Sequence, residues 1–216
     1  MTVESPPAGP TGAGSPSARA QPGQAQPAQA PSTEDRLREL LDKQDIREAV
    51  LRYARGIERL DAETLASAFH DDVIYEHHIG TPSPPYSNAR ELAELIVELA
   101  RKSPLTAKFL AVPSTLIELA GNVAYVESHA LALNVFATPE GEVTHWRGIR
   151  WLDRFERRDS WKIAHRVILH SGFERYEPAA PSPASASFHP DSQSRNHPDD
   201  LVYHLRERLT PGAVWT

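Results

Sequence analysis

Helical spacing fills the first half of this chain's central segment and strand-like runs fill the second, and that division constrains the fold more than any other feature. Leu37, Leu40, Leu41, Ile46, Ala49, Val50, Tyr53, Ile57 and Leu60 recur at helical intervals, which predicts one long helix over about residues 34–60. Ser32 or Thr33 can cap it, and Glu34 and Asp35 suit the positive end of its dipole. Asp61 can cap a short second helix over 62–69. Tyr86-Ser87-Asn88 opens a third, with Leu92, Leu95, Ile96 and Leu99 as its apolar positions and Pro104 beyond its end. Strand-like runs follow at 109–119, 123–136, 144–155 and 161–170. The segments between them, Ala120-Gly121-Asn122, 138–142 and 157–160, read as hairpin turns. Consecutive hairpins make an antiparallel sheet, and helices layered on one face of it give an α+β domain.

The flanks have a different character. Residues 1–33 are rich in Pro, Ala and Gly and lack the apolar surface that would offset the entropy of ordering, so this tail is expected to be disordered. The domain is expected to span 34–178. Residues 179–216 begin Pro- and Ser-rich and end in a segment from Pro198 whose Leu201, Leu205 and Leu209 suit a short amphipathic helix. Without cysteine the chain has no disulfide, no thiolate chemistry and no Cys-based zinc or iron–sulfur site, which fits the cytoplasmic location expected here. A net charge of −6 argues against a general nucleic-acid binder, which needs a basic surface. No apolar run approaches the ~20 residues that span a bilayer, and the N-terminus lacks the basic-then-apolar pattern of a signal peptide. No helix carries His-x-x-x-His or His-Glu-x-x-His, no Gly-rich phosphate loop precedes a helix, and Gly-x-Ser-x-Gly does not occur. The expectation is therefore no metal and no cofactor.

Four segments carry a resemblance: Asp45–Asp61 (DIREAVLRYARGIERLD), Phe69–His78 (FHDDVIYEHH), Leu116–Ser128 (LIELAGNVAYVES) and Arg150–Arg166 (RWLDRFERRDSWKIAHR). Their order and spacing resemble the SnoaL-like, nuclear transport factor 2-like superfamily, over about residues 34–178. The resemblance implies helices packed on a strongly curved antiparallel sheet, a cone-shaped α+β barrel around a small-molecule cavity. It further implies a cofactor-independent lyase or isomerase, dehydratase-like, acting on a hydrophobic polyketide-, steroid- or aromatic-like molecule. One such cavity hosts many chemistries. The alternatives are a non-catalytic ligand-binding or assembly domain of the same fold, or the small subunit of a ring-hydroxylating dioxygenase. The resemblance also implies a homo-oligomer, a dimer or trimer, for which Trp146, Trp151 and Trp161 are candidate contact area, buried core being the simpler reading for at least one of them.

Candidate site residues follow from the resemblance and from strand parity. Relatives carry a Tyr-x4-Asp pattern at the end of the first helix, and Tyr53 and Glu58 stand there, as hydrogen-bond donor and base. A five-residue step turns a helix by about 140°, so the two share a pocket only if it wraps the helix end. The competing reading makes Tyr53 a core aromatic and Glu58 a solvated glutamate. Relatives that eliminate water or chloride use a His early in the strand after the third helix; Lys108 or Leu110 takes that place, and Lys108 becomes a ligand-binding candidate. His77 and His78 are acid/base candidates, of which at most one faces inward because strand neighbours alternate; Tyr75 goes with His77 and Glu76 with His78. Asn134 alternates with Ala130 and Ala132, small residues that leave room for a ligand. Arg166, on a face with Ile168 and His170, is the expected inward anion or carbonyl anchor, or else a surface arginine paired with an acid of a neighbouring strand such as Asp153 or Glu156. Trp146 and Arg150, which share a strand face, complete the expected ligand-binding set; Arg147, Trp151 and Asp153 share the other face.

Overall fold

In the computed structural model, which describes residues 31–78, 81–82, 86–179 and 194–204, the helical spacing becomes three helices. Helix α1 spans Thr33–Arg59, and its buried positions, Ile46, Ala49, Val50, Tyr53 and Ala54, recur every third or fourth residue. Leu37, Leu40 and Leu41 keep the same spacing yet stay exposed, so only the second half of α1 is packed. Helix α2 spans Ala62–Ala66 and starts where Asp61 accepts a hydrogen bond from the Thr64 amide at 3.0 Å. Helix α3 spans Ala89–Lys102; Asn88 accepts from the Glu91 amide, satisfying one of the helix's open donors, and Glu91 in turn accepts from the Ser87 amide just before the cap. Gly56 allows α2 to pack this close to the end of α1, because a Cβ there would sit 2.6 Å from the Cβ of Leu65.

The strands are β1 (Phe69–His78), β2 (Thr81–Pro82), β3 (Leu105–Ala120), β4 (Val123–Thr138), β5 (Gly141–Arg157) and β6 (Trp161–Pro178). They form one sheet in the order β2-β1-β6-β5-β4-β3. The hairpins β3–β4, β4–β5 and β5–β6 are antiparallel, and β1 joins β6 in parallel, a pairing that the hairpin pattern alone does not announce. The result is α+β, with the helices on the inner face of a curved sheet that remains open. Each strand after α3 runs beyond its apolar segment because backbone pairing with its neighbour continues there.

Two irregularities in β6 decide which side chains face inward. Arg154 pairs with His165 and Phe155 with Ile163, so Ala164 is an extra residue and the strand changes face. Trp161 and Ile163 before it, and Arg166 and Ile168 after it, are thereby all buried. Farther along, Arg147 pairs with Glu174 and Ile149 with His170, so β6 bulges at Ser171–Phe173, where Gly172 takes a positive φ of 70°. Trp151 and Trp161, expected as candidates for a contact between copies, are instead core residues, each 2% exposed. The described residues contain no helix long and apolar enough to cross a membrane. The expected N-terminal tail, apart from its last three residues, lies outside the described residues, as do 180–193 and 205–216; Leu201–His204 form a short 3-10 turn within the expected C-terminal helix.

Candidate active site

The C-terminal half of α1, one face of α3 and the inner face of the sheet enclose a cavity of about 370 Å³. Its apolar wall comes from Leu92, Leu95, Ile96 and Leu99 of α3, from Leu110, and from Ile149, Trp151 and Ile168 of β5 and β6. Small residues such as Ala132 keep the middle of the sheet open. The polar side chains lining it are Tyr53, Glu58, Tyr75, His77, Lys108, Asn134, Arg147 and His170.

The floor is made by a cross-strand row. Tyr75, Arg166, Asp153 and Val126 are successive register partners on β1, β6, β5 and β4. Arg166 donates from Nε and Nη2 to the two Asp153 oxygens at 2.7 and 2.6 Å, and neither side chain has any exposed surface. Its guanidinium lies 3.8 Å from the ring centre of Tyr53 and 4.5 Å from that of Trp151. Burial works against its charge, but the Asp153 carboxylate outweighs that and holds Arg166 more firmly protonated than an ordinary arginine. Nη1 of Arg166 is buried without a hydrogen-bond partner among the described residues. Above the pair, the Tyr53 and Tyr75 hydroxyls meet at 2.9 Å. Burial, with the neighbouring Tyr53 hydroxyl adding to it, raises the Tyr75 phenol well above its usual range, so it stays a hydrogen-bond donor.

The wall near the end of α1 carries Glu58 and Lys108. Glu58 lines the cavity with its side chain 17% exposed, and its Oε1 lies 3.7 Å from Arg59. Lys108, on β3, donates to the Ile57 carbonyl at 2.9 Å, one of the carbonyls that the end of α1 leaves open. Burial lowers the Lys108 ammonium to about 8; the Glu58 carboxylate opposes this, and Arg59 and Arg101 add to it. Beyond this wall a smaller polar cleft of about 220 Å³ shares Glu58 and Lys108 and adds Arg59, Arg101 and Arg195.

The structure therefore brings together Tyr53, Glu58, His77, Lys108 and Asn134 around one space, and the cavity does wrap the helix end. His77 lies on the cavity side with Tyr75, while Glu76 faces the other way and accepts a hydrogen bond from His165 at 2.7 Å. His77 is exposed, its ring centre 6.1 Å from that of His170. The backbone of His78 belongs to β1; its side chain lies outside the described part. Arg166 is inward, as expected, but as an anchor for a ligand it is displaced. Two of its nitrogens are taken by Asp153 and Tyr53 and Trp151 cover its plane, so it supports the floor and does not line the cavity. Trp146 and Arg150 stand on the outer face of β5. There Trp146 donates to Glu177 at 2.8 Å and Arg150 pairs with Glu127 at 3.4 Å, because Trp151, Asp153 and Phe155 take the inner face.

Tyr75, Arg147, Trp151 and His170 line the cavity without having been candidates. Strand parity held the signal for each: Tyr75 shares a side with His77, His170 with Arg166, and Arg147 with Trp151. Among the described residues no three of His, Asp or Glu are placed to hold a metal ion.

No curated protein matches the chain in sequence. Similar solved structures include the Kfla4162 protein from Kribbella flavida, at 14% identity and a TM-score of 0.55, covering 63% of this chain and 95% of that one. A type 2 hexachlorocyclohexane dehydrochlorinase is 18% identical with a TM-score of 0.56, covering 70% of this chain and 99% of that one. The type 3 enzyme from Novosphingobium barchaimii is 17% identical with a TM-score of 0.54, covering 70% and 100%. At these identities the likeness establishes the fold. The model of the SnoaL-like domain matches residues 38–167, and this chain belongs to that family.

Proposed function

We propose that the chain is a cofactor-independent lyase or isomerase that moves a proton on a hydrophobic small molecule, with Glu58 as the base. One observation carries this reading: a carboxylate stands in the wall of a mainly apolar cavity, with the paired hydroxyls of Tyr53 and Tyr75 lining the same space. A carboxylate in the cavity wall is placed to reach a C–H bond of a molecule bound there, and preorganised phenols stabilise negative charge where it develops on oxygen. Glu58 takes the C–H proton, its electron pair becomes the new C=C bond, and the leaving group departs with its own pair. Tyr75, with its raised pKa, donates a hydrogen bond and keeps its proton. His77 and His170, exposed or half-exposed, are the groups able to protonate a leaving oxygen. Arg166 acts through Tyr53 and does not touch the substrate. Two of the similar folds are dehydrochlorinases, a name that denotes an elimination, which is consistent with this class of chemistry.

The test needs no knowledge of the natural substrate. 5-Nitrobenzisoxazole opens to a coloured phenolate when a base removes a single C–H proton. The wild-type chain should accelerate that opening and Glu58→Gln should abolish the acceleration while remaining folded. If the two proteins give the same rate, Glu58 is not the base, and the apolar lining then favours a ligand-binding domain. The same proposal includes a homodimer through the outer sheet face, where Leu116 and Tyr125 are 72% and 56% exposed; sedimentation velocity reads it directly.

A further inference from the structure

Lys108 has the setting of a nucleophilic amine. Its backbone sits in β3 opposite Asn134, and its Nζ reaches across the cavity wall to the Ile57 carbonyl. That hydrogen bond is to a neutral acceptor, so releasing the amine breaks no ion pair. The charged groups that face it are Glu58 and Arg59 from α1 and Arg101 from α3, with Arg195 lining the same cleft. Ile57, Leu99, Ala100 and Leu110 supply apolar surface beside it. With the ammonium lowered to about 8, roughly a tenth of the molecules hold a neutral amine at pH 7, far more than an ordinary lysine would.

We propose that Lys108 forms an imine with the carbonyl carbon of a hydrophobic aldehyde or ketone bound in the cavity. The nitrogen lone pair makes the C–N bond as the C=O π electrons move to oxygen, which takes up from solvent the proton that the ammonium had released to become the amine. The nitrogen proton passes to the Glu58 carboxylate. The C–O bond then breaks, the oxygen leaves as water with a proton returned by Glu58, and the iminium remains. No oxidant or reductant takes part. The iminium draws electrons from the neighbouring carbon and so acidifies its C–H bond, which gives the cavity a carbonyl substrate class. This inference stands on the placement of the amine and does not require the elimination chemistry proposed above.

The experiment uses the full chain with cinnamaldehyde, trapped by sodium cyanoborohydride and located by peptide mass mapping. The other lysines, Lys43, Lys102 and Lys162, serve as internal references. Lys108 should be labelled about tenfold or more over each of them, and its labelling should rise through a midpoint near pH 8, the value to which burial lowers this ammonium. Lys108→Arg, which preserves a donor to the Ile57 carbonyl, should remain folded and lose the adduct. Uniform labelling of all four lysines, or an adduct that survives in Lys108→Arg, overturns the proposal. An adduct on Lys108 in a protein inert toward 5-nitrobenzisoxazole would sink the elimination alone; the reverse result would sink the imine alone.

Discussion

At the floor of the cavity Arg166 and Asp153 share a bidentate pair with no exposed surface, whereas at the wall Glu58 and Lys108 remain partly exposed and are not paired with each other. Both regions put charge beside the same apolar space. On the floor each charge is consumed by its partner and by the rings of Tyr53 and Trp151, so the pair holds strands β5 and β6 in register under Tyr53. At the wall Glu58 lies 3.7 Å from Arg59 and Lys108 bonds only a neutral carbonyl, so neither charge is enclosed by a bidentate partner. Buried polar groups that are nearly all satisfied serve architecture, and chemistry needs groups whose partners are incomplete.

Breaking the floor should have the largest effect. Arg166→Met leaves the Asp153 carboxylate buried and unpaired, which costs about 3–5 kcal/mol; urea unfolding should register the loss. Adding Asp153→Leu in the same chain should recover most of it, because the remaining penalty is for an unpaired charge and not for a missing attraction. If Arg166→Met alone is as stable as wild type, the buried pair does not hold the floor together. The wall should behave in the opposite manner. Glu58→Gln should lower the opening rate of 5-nitrobenzisoxazole by about 10²–10⁴-fold while shifting stability by no more than about 0.5 kcal/mol.

The two regions differed in how far the sequence disclosed them. Helix periodicity and hairpin turns sufficed for the α+β order, whereas Tyr53 and Glu58, which line one cavity, were candidates through the resemblance and not through their spacing, which left a shared pocket open. The direction of β5 was not legible in the same way. Trp146 and Arg150 and the alternate set, Arg147, Trp151 and Asp153, have similar composition, and only pairing with β4 and β6 decides which of them is inside. The extra residue at Ala164 carries no signal in composition, yet it allows Trp161 and Arg166 to be buried together. The bond between Arg166 and Asp153 was legible as an alternative; its complete burial was not, since that depends on Tyr53 and Trp151 closing over it.

Tyr75 joins the two regions, since it lies in the floor row and also lines the cavity. Tyr75→Phe removes a hydroxyl whose partner, Tyr53, then loses its bond inside the protein. The stability cost should be about 1 kcal/mol, and the rate with a substrate that develops an oxyanion should fall about tenfold or more. With 5-nitrobenzisoxazole the effect should be of similar size only if the nitrophenolate oxygen sits against that pair. An unchanged rate there, together with an intact Glu58 effect, would place the reacting molecule nearer the wall than the floor.

The smallest effect isolates Lys108. Its folded pKa of about 8 lies below the ordinary 10.5, so between those values the unfolded chain binds more protons at this residue than the native one. Native stability therefore carries a penalty that is full below about pH 8 and is relieved as pH rises toward 10.5. Other lysines and tyrosines titrate over the same window, so the informative quantity is the difference between wild type and Lys108→Met in stability against pH. Wild type should gain on the variant as pH rises through that window. The gain should be modest, because the ammonium keeps some access to solvent and to the Ile57 carbonyl, both of which soften the cost of its charge. Parallel curves for the two proteins would mean that Lys108 is as well hydrated as a surface lysine, and the asymmetry between floor and wall would then rest on Glu58 alone.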